Sequence, residues 1–228
     1  MVVLVGLTEA VESPARHRFV ILLLPLVGMF CATAGFAIGS SRSSGTASPG
    51  ALAEPSTFAV AHEPTDAQLA TIDIGFAADM LDHHDQIIEL ANFTASHATT
   101  DLVRSLALGV VASQQYEKGQ LEGFLRGRGV TRPNGPDRLV MGWMGPPVAR
   151  DAMPGYLPKT DMIELYNLDG PTLDRRFLEL TIRHHEGGVH MAQDAAARSR
   201  DPWLRNLAAA MVVAQQEEIN DATAALSG

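Results

Sequence analysis

Apolar residues recur at three- and four-residue intervals through two long stretches of the chain, the spacing of a helix with one buried face. In the first stretch Ala77, Met80, Ile88 and Ala91 share one stripe, and Val103, Leu106, Val110 and Leu121 another. In the second, Gly188 and Ala192 continue one stripe, and Leu204, Leu207, Met211 and Ala222 make the other. Helix-start signals bracket these runs. Thr65-Asp66-Ala67-Gln68 has the form of a capping box. Thr100 can cap a second helix that ends near Gly127 and Gly129, while Gly170-Pro171 and Asp201-Pro202 place proline at the first helical position. The predicted helices span about 66–97, 100–127, 171–199 and 202–226. Short turns join them in pairs, so each pair is an antiparallel hairpin. The predicted fold is all-α, a four-helix bundle.

The two hairpins read as copies of one unit. His83-His84 recurs as His184-His185, 101 residues on. The same offset aligns Asp73 with Asp174, Phe76 with Phe177, Arg104 with Arg205, Gln114-Gln115 with Gln215-Gln216 and Glu117 with Glu218, without a gap. The repeat units are about 65–127 and 170–228. Neither hairpin can bury its apolar face alone, so residues 65–228 form one bundle domain with a pseudo-two-fold site.

The remaining segments differ in kind. Residues 1–18 lead into a run at 19–39 that is nearly all apolar or small, flanked by Arg16, His17 and Arg18 before it and Arg42 after. About 20 apolar residues can cross a bilayer as a helix, whereas a signal-peptide core is usually about 7–15 residues. The length favours an uncleaved transmembrane signal anchor over a cleaved signal, for which Ala51-Leu52-Ala53 offers a cleavage site. Either reading places the bulk of the chain outside the cytoplasm. Residues 40–64, rich in Ser, Gly, Ala and Pro, read as a flexible tether. The connector at 128–169 is long for a compact domain and carries Met141, Trp143, Met144, Met153 and Met162 among its prolines. These apolar groups are expected to seal one end of the bundle; a closer approach of some thioethers to a soft metal is the alternative.

A net charge of -9 argues against a nucleic-acid partner, which needs clustered Lys and Arg. A single cysteine, Cys31, excludes an internal disulfide and any cysteine-rich metal site.

The repeated polar residues carry the chemistry. A helix turns about 100° per residue, which puts His84 on the stripe of Asp73, and His185 on that of Asp174, both facing the core. His83 and His184 fall a quarter turn away on a flank, which His184 shares with Met191. Gln114 and Glu117 lie on the apolar stripe of the second helix, Gln215 and Glu218 on that of the fourth. A core glutamate is costly unless paired or bound to a cation. Two of them, placed symmetrically opposite histidines, point to a metal ion. Imidazole and carboxylate suit zinc, iron, manganese or copper, and methionine shifts the choice toward copper(I). A buried polar network that fixes helix register is the structural alternative. His62, His97 and His190 have no histidine counterpart in the other repeat and are expected at the surface.

At these residues the chain resembles a known family, domain of unknown function three hundred and five. The resemblance rests on Phe177-Leu178-Glu179-Leu180, His184-His185-Glu186-Gly187, Met191-Ala192, Gln215-Gln216-Glu217-Glu218-Ile219 and Met153-Pro154-Gly155, and covers about 66–228. It implies a ferritin-like four-helix bundle, usually exported or membrane-anchored, with some members linked to copper binding or tolerance. By position the family pattern falls on His83, His84, His184, His185 and Met191. The first repeat keeps Met80, but Leu90 and Thr181 stand where methionine is common, and Gly188 where alanine is usual.

The expected function is a membrane-tethered extracytoplasmic protein that buffers or sequesters copper, with zinc, iron or manganese as other candidates. The expected metal set is His83, His84, His184, His185, Glu117, Glu218, Met191 and Met80, with Asp73 and Asp174 as ligands or as groups orienting His84 and His185. A dinuclear redox enzyme is the runner-up, but its Glu-x-x-His signature is absent from the sequence. A helical interaction module with a structural polar core is the third reading.

Overall fold

The computed structural model of the chain describes residues 61–135 and 137–227. The predicted transmembrane or signal segment at 19–39 and most of the tether lie outside the described residues. Among the described residues, no helix is long and apolar enough to cross a membrane.

The fold is all-helical. In chain order the helices are α1 (Asp66–Leu69), α2 (Ile72–His97), α3 (Asp101–Gly127), α4 (Lys159–Tyr166), α5 (Gly170–Arg198) and α6 (Pro202–Ser227). A 3-10 turn, Arg150–Ala152, precedes α4. The start signals act as the sequence indicated. Thr65 and Gln68 form a reciprocal capping box, Thr100 accepts from the amide of Val103, and Asp201 accepts from that of Leu204.

Two expectations need correction. The predicted helix 66–97 is interrupted at Thr71, whose backbone is extended (φ -82, ψ 145). The break brings the Leu69 carbonyl and Trp143 against Gly75, where a Cβ would stand 2.2 Å from the carbonyl oxygen and 2.6 Å from the indole. A continuous helix would not permit that crossing. The connector, read as a loop, contains α4, whose Met162 and Leu165 turn inward three residues apart.

Hairpins α2/α3 and α5/α6 pack chiefly through α2 against α5, and α3 touches α6 more sparsely. Two apolar clusters fill the ends of the bundle. One joins the start of α2, the end of α3, the connector, the end of α5 and the start of α6, around Phe76, Leu121, Trp143, Met191 and Met211. The other joins the end of α2, the start of α3, α4 and the start of α5, around Leu90, Val103, Leu165 and Phe177. The connector therefore does more than seal one end: Met141, Trp143 and Met153 enter the first cluster, and Met162 the second.

The connector is fixed to α2 by charge. Asp79 accepts from Arg138 at 2.7 Å, from the Met141 amide at 2.7 Å and from the Trp143 indole at 3.0 Å. Asp82 meets Arg132 and Arg138, each at 2.7 Å, and Arg150 at 3.0 Å. Asp85 pairs with Arg132 and Lys118, which hold its carboxyl below the ordinary range although burial alone would raise it. One turn on, Gln86 exchanges two hydrogen bonds with the backbone of Leu157. Trp143 then packs edge-on against Phe76, with ring centres 5.6 Å apart.

Candidate functional site

Between the two apolar clusters lies a polar layer. His83 and His84 reach it from α2, His184 and His185 from α5, Gln114 and Glu117 from α3, and Gln215 and Glu218 from α6. All four imidazoles are fully buried, and the two glutamines are 1% exposed. The layer keeps the symmetry of the repeat. His84 Nε2 stands 2.8 Å from Glu117 Oε2, and His185 Nε2 stands 2.6 Å from Glu218 Oε2. Each pair bridges the two helices of one hairpin.

The second histidine pair is placed differently from the flank expected of it. His83 and His184 are buried face to face across the α2–α5 interface, with ring centres 3.8 Å apart and planes inclined by 38°. The reason is architectural. Each of these helices buries one face against its own hairpin partner and another against the opposite hairpin. A quarter turn from the first core face therefore still leads inside.

The polar groups of this layer are under-satisfied. Among the described residues, both ring nitrogens of His83 and of His184 lack a hydrogen-bond partner, as do Nδ1 of His84 and of His185. So do Oε1 of Gln114, both side-chain polar atoms of Gln215 and the hydroxyl of Thr181. A buried polar atom left in this state costs about 1–3 kcal/mol. Burial also drives the affinities of His83 and His184 for a proton well below the ordinary histidine value, and the neighbouring imidazoles push the same way. Both rings are therefore neutral at pH 7, the form that ligates metals.

The halves differ in detail. Ser113 donates to Glu218 at 3.0 Å, whereas Ala214 stands at the matching position beside Glu117. Gln114 Nε2 lies 3.4 Å from His185 Nε2, while Gln215 has no such partner.

Other expected site residues fall as follows. Met80 and Met191 are fully buried in the apolar cluster bordering the layer, together with Met211 and Met153. Asp73 and Asp174 do not reach the histidines. They precede His84 and His185 by about 16 Å of helix, and their oxygens serve the hairpin turns. Asp174 accepts from the amides and hydroxyls of Thr99 and Thr100 at 2.7–3.0 Å. Asp73 accepts from Ser199 at 2.7 Å. Each aspartate thus anchors the turn of the opposite repeat, which is why the repeat retains both. His62, His97 and His190 are exposed, as expected. Sequence reasoning placed Gln114 and Gln215 on core stripes but not among the site residues. The signal was present, since a buried amide without a partner is also costly, though less so than a buried carboxylate.

The layer is not a ready-made cage: among the described residues, no three His, Cys, Asp or Glu side chains stand together as a metal site. Six imidazole nitrogens of this buried layer nevertheless have no hydrogen-bond partner among the described residues, and neutral imidazole nitrogen is a metal-ligating group.

The Met153-Pro154-Gly155 segment packs on α5 beside this layer. Gly187 leaves no space for a Cβ, which would stand 2.3 Å from the backbone of Pro154 and Gly155. Gly155, at φ +76, lies correspondingly close to the His184 carbonyl. Residues 73–226, which hold both hairpins and this strap, match the model of the family described as Domain of unknown function (DUF305). The chain belongs to the DUF305 family. Among solved structures, it is similar to a DUF305 protein of Streptomyces coelicolor titled a putative secreted protein, at 31% identity and a TM-score of 0.63, covering 69% of this chain and 93% of that one. A DUF305 fragment from Deinococcus radiodurans follows at 29% identity and a TM-score of 0.59, covering 68% and 95%. CopM in its Cu(II)-bound form shares the fold at 18% identity and a TM-score of 0.56, again covering 68% and 95%. No curated protein matches the chain.

Proposed function

We propose that this DUF305 protein is an extracytoplasmic copper-binding protein, tethered to the membrane by residues 19–39, that holds the ion as cargo. The observation that carries the reading is the buried layer of four imidazoles with six ring nitrogens unpartnered among the described residues. His83 and His184, whose ring nitrogens have no hydrogen-bond partner of good geometry among the described residues, are the central ligands. His84 and His185 contribute through Nδ1, while Glu117 and Glu218 hold their opposite nitrogens and orient the rings. Met80 and Met191 border the layer as thioether donors. Imidazole with nearby thioether suits copper better than zinc, iron or manganese. CopM, which shares the fold, has been solved in Cu(II)- and Cu(I)-bound forms. An extracytoplasmic place accords with the apolar run at 19–39 and with the secreted description of the Streptomyces relative.

One observation favours a structural polar core instead: the two His–Glu pairs are complete hydrogen bonds without any metal. Titration of the full chain, purified from membranes, separates the two readings. Copper should bind at one or two equivalents and raise the melting temperature, by linkage to the folded state. Substituting both His83 and His184 by Ala should remove that rise. A melting temperature indifferent to copper and to chelator, with all four histidines intact, overturns the proposal in favour of the structural core.

A further inference from the structure

The pseudo-symmetry of the layer is also broken at Gly188. Gly188 of α5 corresponds, at the repeat offset, to Ile87 of α2. A Cβ at Gly188 would lie 2.2 Å from Gln215 Oε1 and 3.0 Å from His83 Cε1. The missing side chain therefore creates a notch in which the Gln215 amide and the His83 ring meet. On the other side Ile87, itself fully buried, supplies bulk at the matching place. There Gln114 lies beside His185 Nε2 instead. Gln215 is 1% exposed, and neither its oxygen nor its nitrogen has a partner among the described residues. A purely structural residue in this place would be better as leucine, since an unpartnered buried amide is destabilising. The hardness of the two sides differs as well: Met80 in the first repeat is matched by Thr181 in the second.

We infer that Gln215, lodged in the Gly188 notch beside His83, is an oxygen donor of the layer that sets its preference toward Cu(II) over Cu(I). The inference rests on the copper reading above. An amide oxygen is a hard ligand, imidazole is intermediate and thioether is soft. Adding oxygen next to His83 and His184 favours the divalent ion. Removing it leaves imidazoles bordered by the thioethers of Met80, Met191 and Met211, a set suited to the monovalent ion.

The test uses the full chain, with Cu(II) and Cu(I) each measured by competition against chelators, and with electron paramagnetic resonance of the Cu(II) form. Gln215→Leu should weaken Cu(II) binding by about tenfold to a hundredfold, leave Cu(I) binding unchanged and alter the Cu(II) hyperfine pattern. Gly188→Ala keeps the amide but closes the notch, and should shift the preference in the same direction. Gln215→Glu keeps an oxygen in the notch and should retain the Cu(II) preference; loss of it in that variant overturns the inference. Gln114→Leu should move the preference less than Gln215→Leu. Equal weakening of both ions by Gln215→Leu, or an unchanged Cu(II) spectrum, also overturns it while leaving the copper reading standing. Wild-type protein that binds neither ion overturns both.

Discussion

Two regions of this molecule bury polar side chains, and they treat them in opposite ways. Where the connector crosses α2, each carboxylate oxygen of Asp79 and Asp82 has a partner supplied by Arg132, Arg138, Arg150, Met141 or Trp143. In the layer between the apolar clusters, ten side-chain atoms of His83, His84, Gln114, Thr181, His184, His185 and Gln215 have none among the described residues. Both regions are buried, so the cost of desolvation applies to both. A network whose carboxylates are all partnered, with only Nε of Arg138 and of Arg150 left without a hydrogen bond, fixes structure. One that leaves its donors open does little for the apo fold, and is tolerated where something else is to fill it.

The closed network should be the more damaging place to cut. Arg138→Met leaves Asp79 and Asp82 buried with fewer counter-charges, and breaking such a pair costs about 3–5 kcal/mol. Urea unfolding should show that loss, and limited proteolysis should open the connector between Arg132 and Pro158. The effect has a pH signature. Burial already holds the Asp79 carboxyl above its ordinary range, and Arg138 is the chief group pulling it back. Without Arg138 the folded-state value rises further above the unfolded one. A carboxyl shifted upward destabilises the fold as pH rises through its unfolded value, so the deficit of the variant should shrink toward pH 4. A deficit independent of pH would mean that packing, not charge, is what Arg138 supplies.

The hairpin turns sharpen the same contrast at smaller amplitude. Asp174 accepts four hydrogen bonds from Thr99 and Thr100, whereas Asp73 accepts one from Ser199. Asp174→Ala should therefore cost about 2–3 kcal/mol and Asp73→Ala about 1 kcal/mol. Burial alone would raise the Asp174 carboxyl, but these threonine contacts hold it below the usual carboxylate range. Its stabilisation is complete above the unfolded value of about 3.9 and is lost as pH falls through the folded one. Asp174→Asn should flatten that acid limb. If either aspartate served the histidine layer instead, its substitution would change copper stoichiometry with little effect on the melting temperature of the apo protein.

These two aspartates show where sequence reasoning stops. Helical periodicity put Asp73 on the stripe of His84, yet its carboxylate meets Ser199 instead. Angle says nothing about height along the axis, and about 16 Å separates Asp73 from His84. The same limit misled the reading of His83 and His184. A quarter turn from one buried face led to a second buried face, because which sides of a helix are covered depends on how hairpins dock. The docking of the connector was likewise hidden, since it depends on Asp79, Asp82 and Gln86 of α2 meeting Arg132, Arg138 and the backbone of Leu157 across long separations. What the sequence did carry is local or repeated. Thr65, Thr100, Pro171 and Pro202 mark helix starts because capping is short-range. The offset of 101 residues brought out His84–Glu117 and His185–Glu218 because a duplicated unit repeats its internal contacts.

A stabilising substitution discriminates best between the two regions. If the layer holds its donors open for an ion, then His83→Leu with His184→Leu should stabilise the apo protein, by about 1–2 kcal/mol, because unpartnered buried nitrogens are exchanged for apolar groups of similar bulk. A closed network would lose stability under the same treatment, as Arg138→Met is expected to do. The acid side gives a second reading of the same variant. His83 and His184 stay neutral in the fold well below the pH at which free histidine protonates. As pH falls below about 6.5, the unfolded chain takes up protons that the folded one refuses, and stability drops by up to about 1.4 kcal/mol per pH unit for each ring. The double leucine variant should lack that slope, so its advantage over wild type should widen from pH 7 to pH 5. Copper should offset the slope in wild type, since an ion on the imidazoles stabilises the folded state, and should do nothing for the variant. Apo stability that falls on substitution at pH 7 would place His83 and His184 with Asp79 and Asp82, as parts of the frame.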